Sequence, residues 1–304
     1  MILVRPIVIT DSILDSSTIA EPDGSEVLWT AGTYTLGTQK YQDHVIYQVT
    51  ADPSTADDPT GFLKGINADP ATWVKFSATN RFAMFDSVNS TQSSETTQLV
   101  VAITPNELFN AVAGFNIEDV TAINITVDDP TAGEVYNEDI DMVDNSEVID
   151  WYYYYFSPII RASPFALLDL PSYPLATLTM TVDGTNILFG NFVMGSQVEL
   201  GVANYGTSVQ LVDFSRTETD LFGNKTVVAG RTSKLVNYNV TILKSKVNYV
   251  FDTLSAIQGI PSLWIGGSGG ADPATLVFGY YRDFNDNISS PEITDGTLVI
   301  EGVV

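Results

Sequence analysis

The chain has 304 residues, with 13 Lys and Arg against 37 Asp and Glu, for a formal charge of −24. So few cations exclude a phosphate backbone or an anionic membrane surface as a partner. Charged residues make up only 16% while 44% are hydrophobic and 11% aromatic, a composition for folded domains rather than disorder.

Residues 1–23 begin with a short β-rich stretch over 1–10, expected to add a strand to a later sheet. The start, Met1-Ile2-Leu3-Val4-Arg5-Pro6, lacks a charged region followed by a long apolar stretch, so no signal peptide is expected. No run approaches the roughly 18 apolar residues of a membrane span, so membrane insertion is not expected.

Residues 24–78 hold few aliphatic residues but carry Trp29, Tyr34, Tyr41, Tyr47 and Trp73. A strand is predicted over 46–50, followed by a Pro-, Asp- and Thr-rich loop over 52–69. A unit of this size has two uses for its aromatics. They can be its core, or Trp29, Tyr34, Tyr47 and Trp73 can stack against the C–H faces of sugar rings. His44, the only histidine, sits before the 46–50 strand and reads as a surface or edge residue. One histidine and no cysteine exclude multi-His metal sites, thiolate catalysis, disulfides and Cys-based metal centres within the chain.

Residues 79–205 read as a β-sandwich, with strands predicted over 97–103, 122–127, 151–156, 176–182 and 198–203. As a strand, Trp151–Phe156 sets three aromatics on each face. One face is then core; the other packs on a neighbouring subunit or domain, is buried within the chain, or binds sugar, and the first of these readings makes Trp151, Tyr152, Tyr153, Tyr154 and Tyr155 candidates for a subunit interface. The densest acidic stretch lies over 118–150. Asp139, Asp141 and Asp144 are candidate calcium ligands there, though no Asp-x-Asp-x-Asp-Gly loop is present and a solvated acidic surface is the other reading. With 37 acidic residues, nearby carboxylate pairs do not single out a glycosidase. No organic cofactor site is expected.

Residues 206–304 add strands predicted over 226–230, 236–243, 275–281 and 296–302. A single helix is predicted over 247–257, where Val247, Val250, Phe251, Leu254 and Ile257 recur every three or four positions and Gly259 and Pro261 stop it. Gly266-Gly267-Ser268-Gly269-Gly270 lacks the Gly-Lys-Ser/Thr ending of a phosphate loop and reads as a flexible loop.

Two groups of residues carry a resemblance. Trp29-Thr30-Ala31-Gly32-Thr33-Tyr34, with Tyr47 and Trp73, resembles a small chitin-binding-type carbohydrate-binding module, although Thr38 stands where such modules have Asp and Lys40 where they have an apolar residue. The segment from Trp73 through Arg81 to Asp86 is similar to one in virion proteins of tailed bacteriophages. So are Asp150 to Phe156, Val212 to Glu218, Pro261 to Gly266, Phe278 to Phe284 and Leu298 to Gly302. The resemblance implies a small three-stranded module, a galactose-binding-like jelly-roll sandwich and a C-terminal β domain with one helix. It implies a structural component of a phage tail, baseplate or neck, located in the virion and assembled with copies of itself and other virion proteins. It leaves room for weak binding to host-surface polysaccharide. A receptor-binding glycan adhesin and a tail-associated depolymerase are the alternatives.

Overall fold

A computed structural model describes residues 1–51, 57–61, 64–144, 148–156, 160–219, 222–267, 273–288 and 290–303. Parts of the predicted 52–69 loop and of the Gly266–Gly270 loop lie outside these residues. The protein is mainly β, with antiparallel sheets and a sandwich architecture.

The N-terminal third contains β1 (Ile2–Pro6), β2 (Leu14–Ser17), β3 (Gln39–Gln42), β4 (Val45–Val49) and β5 (Trp73–Ala78). Strands β3, β4 and β5 form a separate three-stranded antiparallel sheet. Its first hairpin turns on Asp43 and His44, both at positive φ (49° and 64°), the backbone signature of a type I′ turn.

The middle of the chain supplies β6 (Ser93–Glu95), β7 (Gln98–Ile103), β8 (Ala111–Asp129), β9 (Gly133–Asp141), β10 (Val143–Asp144), α1 (Trp151–Phe156), β11 (Ile160–Arg161), β12 (Phe165–Leu167) and β13 (Thr177–Glu199). The two long strands, of 19 and 23 residues, pair along most of their length and organise the sandwich. β7 and β6 take the other edge of β13, and β9 extends β8 outward. Alternating residues of these strands, among them Leu99, Ile123, Ile125, Met180 and Phe189, fill one buried core. Sequence pattern divided these strands because irregular register between Asp183 and Leu188 interrupts the period-2 alternation.

The remainder comprises β14 (Val202–Ala203), β15 (Ser208–Asp213), β16 (Arg216–Thr219), β17 (Lys225–Val228), β18 (Thr232–Leu243), α2 (Val247–Ala256), β19 (Ser262–Ile265), β20 (Leu276–Asn287) and β21 (Ile293–Gly302). The predicted late helix is α2. It buries Val250 and Leu254 against a core containing Tyr238, Trp264 and Ile300. The Trp264 indole donates to the Gly279 carbonyl (2.9 Å), which satisfies its polar edge inside that core.

β1 joins the two halves, pairing with β13 on one side and β19 on the other. This is the added strand expected from residues 1–10, and it makes one continuous path, β12-β8-β13-β1-β19-β20-β21-β18-β14. Gly195 permits the close approach, since a Cβ there would lie 1.8 Å from the Arg5 carbonyl oxygen. Val4, Val193, Leu263 and Phe278 seal the junction with a core of their own.

Candidate functional site

The four aromatics considered for sugar stacking come together, but mostly as a core. Tyr47, Val49 and Trp73 are buried in the three-stranded unit, with Trp29, Tyr34 and Val45 packed against them. Trp73 has no exposed surface, and its indole donates to the Asp57 carbonyl (3.1 Å). Tyr34 meets the Trp73 ring edge-on at 5.5 Å, donates its hydroxyl to the Thr30 carbonyl, and has Lys40 Nζ 5.3 Å above its ring. A ring in edge contact with Trp73 and approached by a lysine is not a free platform. The glycan assignment is therefore corrected for Tyr47 and Trp73: burial removes the faces that would stack. Trp29 and Tyr34 stay half-buried at the rim.

His44 is no plain edge residue. Its Nδ1 lies 2.9 Å from a Glu21 carboxylate oxygen and its Nε2 lies 2.8 Å from Asp11, while its ring packs 4.0 Å from that of Phe82. Thr79 donates a hydroxyl to Glu21 (2.6 Å), and the Asn80 N–H donates to Glu26 (2.6 Å). The tip of the β3–β4 hairpin is thereby pinned to the N-terminal arm. A long-range carboxylate partner leaves no local sequence signal, so pattern reading missed it.

The calcium assignment is also corrected. Asp139 and Asp141 lie two residues apart on β9, and Asp144 lies on β10. Asp139 accepts from the Asn124 amide (2.7 Å) and Asp141 from the Val143 N–H (2.9 Å). Among the described residues, no three His, Cys, Asp or Glu side chains gather to hold a metal ion. β9 is instead an acidic face. Its Tyr136 donates to Glu138, and burial together with that carboxylate pushes the phenol pKa up to about 12.

The feature that stands out is Trp151–Phe156, which is a helix rather than the predicted strand. Asp150 explains the difference. Its Oδ1 accepts from the Tyr152 N–H (2.8 Å) and the Tyr153 N–H (3.0 Å), and its carbonyl accepts from Tyr154 (3.0 Å), an N-cap at the start of a helical turn. A run of six aromatics has no polar gaps from which period 2 or 3.6 could be read, so only the Asp150 cap could have signalled the helix.

All six side chains are exposed, from 41% for Tyr153 to 75% for Trp151. Their ring contacts are with one another: Trp151 stacks on Tyr155 (6.2 Å), and Tyr152 lies against Phe156 (5.0 Å). Val148, Ile149, Asp150, Trp151 and Tyr154 line an open cleft of about 580 Å³. The helix sits in the connection between β10 and β11, a two-stranded ribbon separate from the main sheet. Six aromatic side chains of about 150–250 Å² each, exposed to this extent, present on the order of 800 Å². That exceeds the roughly 300–600 Å² of the largest patch on an ordinary monomer. It equals about one side of a standard protein interface.

No helix among the described residues is long and apolar enough to cross a membrane. No family model matches the chain, and no curated protein matches it.

Proposed function

We propose that the chain is a non-enzymatic structural component of a tailed-phage virion, in its tail, baseplate or neck, built in several copies that contact one another and other virion proteins. The observation that carries this reading is the exposed aromatic helix α1. Water-exposed indole and phenol faces on this scale are costly for an isolated chain and are offset when a protein partner covers them. The segments similar to phage virion proteins, spread from Trp73 to Gly302, support the virion setting. The acidic face on β9 keeps assembled copies soluble and disfavours contact with packaged DNA.

Glycan recognition by the module aromatics does not enter this reading, because Tyr47 and Trp73 are interior. The test is composition. Mass spectrometry of purified particles of the encoding phage should find the chain at a fixed multiple of the tail symmetry, and cryo-microscopy should place it in the tail or neck. Its absence from infectious particles would overturn the proposal.

A further inference from the structure

The three-stranded module and the sandwich have separate cores. Tyr47, Val49 and Trp73 fill the first, while Phe82 and Met84, just past the module, belong to the second. The chain passes between them twice, before Val27 and after Ala78. An open cleft of about 640 Å³ separates them. Val45, Lys75 and Ala78 line it from the module, and residues 8–12, Phe85 and Asp86 line it from the sandwich side.

His44 lines the same cleft and bridges it. Its Nδ1 lies 2.9 Å from a Glu21 oxygen and its Nε2 lies 2.8 Å from an Asp11 oxygen. A neutral imidazole has one N–H and one lone pair, so it donates to only one of these carboxylates. Only the imidazolium donates to both. Its partners are held differently. The Glu21 side chain is only 9% exposed and also accepts from the Thr79 hydroxyl (2.6 Å), so it is fixed in place. Asp11 is exposed. The Phe82 ring, 4.0 Å from that of His44, is an aromatic neighbour that favours a cation. The other charges nearby are Asp43, next to His44 on the hairpin, and Lys75 and Asp86, which line the cleft. Behind Glu21 lie Glu26, close enough for the two carboxylates to repel, and Asp23 beside Glu26.

We propose that His44 is a proton-operated latch: protonated, it ties the module to the N-terminal arm, and neutral, it lets the module swing about its two connecting passages. When the proton leaves, one ring nitrogen presents a lone pair to a carboxylate, and that contact turns from attractive to repulsive. The nearly buried Glu21 also loses its positive partner, a state relieved when the cleft opens to water. The latch is therefore present on the acid side and is lost as pH rises through the range of about pH 5–8 in which histidines change charge. It operates within one chain and does not depend on assembly.

The chain has one histidine and no cysteine, so both the titrating group and the labelling sites are unambiguous. Leu36→Cys in the module and Leu175→Cys in the sandwich replace exposed side chains and carry a donor and an acceptor dye. Single-molecule energy transfer should show one narrow population at about pH 5.5 and, reversibly, loss of that single population to a broad or second one at about pH 8. Two variants separate the latch from other titrations, such as that of the Met1 ammonium, whose pKa burial lowers. His44→Asn keeps a residue suited to positive φ but cannot reach both carboxylates, so it should be open at both pH values. Asp11→Asn supplies an amide that donates to the neutral ring nitrogen, so it should stay closed at both. A wild type whose distribution ignores pH, a His44→Asn variant that is closed at about pH 5.5, or an Asp11→Asn variant that opens as the wild type does would each overturn the latch.

Discussion

Trp73 separates two meanings of an aromatic residue. On a sugar platform its loss removes binding and spares the fold. In the core of a small sheet its loss removes the fold. Its ring has no exposed surface and meets Tyr34 edge-on, so Trp73→Ala should cost about 3–5 kcal/mol locally. Hydrogen exchange should show β3, β4 and β5 losing protection while β8 and β13 keep theirs. An unchanged exchange pattern in the three-stranded sheet would contradict the core assignment. Asp86 offers a pH readout. Burial pushes its carboxyl up, and the Thr91 hydroxyl (2.6 Å) and Val88 N–H (2.8 Å) only partly offset this. A carboxyl raised in the folded state holds its proton there more tightly than in the unfolded chain, so stability falls as pH rises upward from the ordinary value of 3.8. Asp86→Asn lacks that titration. The stability of the wild type relative to this variant should therefore decline with rising pH across the acid range, measured by denaturant unfolding at a series of pH values. A flat difference would remove the assigned cause.

At the scale of elements, the predictable parts were those in which one face is wet and the other dry. β21 alternates strictly, with Thr294, Gly296, Leu298, Ile300 and Gly302 facing inward, and α2 shows its 3.6-residue period plainly. The N-terminal strand was visible as a strand, but its position between β13 and β19 depends on long-range register that no local pattern carries. The aromatic run failed for a different reason. A segment exposed on all sides has no buried face, so there was no period to find, and the helix rests on a single capping carboxylate. Asp150→Ala should cost about 1 kcal/mol of helix stability. Because all six side chains of α1 are exposed, the six rings should lose their mutual order. The expected result is a weaker near-ultraviolet circular dichroism signal with the thermal unfolding of the sandwich unchanged. A simultaneous drop in the unfolding temperature would mean that α1 supports the core after all.

At the scale of the whole molecule, the −24 charge is not spread evenly. From Phe82 to Ile160 the chain has no Lys or Arg, while the stretch from Leu221 to Phe251, which spans β18, has no Asp or Glu. Composition alone reported the sum. The exposure of all six α1 side chains emerged only once the folded chain showed which apolar residues remain in contact with water. The interface candidates Trp151 to Tyr155 lie on an exposed helix rather than on the expected strand. The central claim is that covering α1 with another protein chain is what the molecule is built for. Sedimentation velocity over a wide concentration range, comparing the wild type with a Trp151→Ser, Tyr154→Ser, Tyr155→Ser variant, tests it most directly. The account predicts concentration-dependent assembly of the wild type and a monomeric variant with unchanged thermal unfolding. Equal assembly of the two, or a wild type that is monomeric throughout, would contradict it.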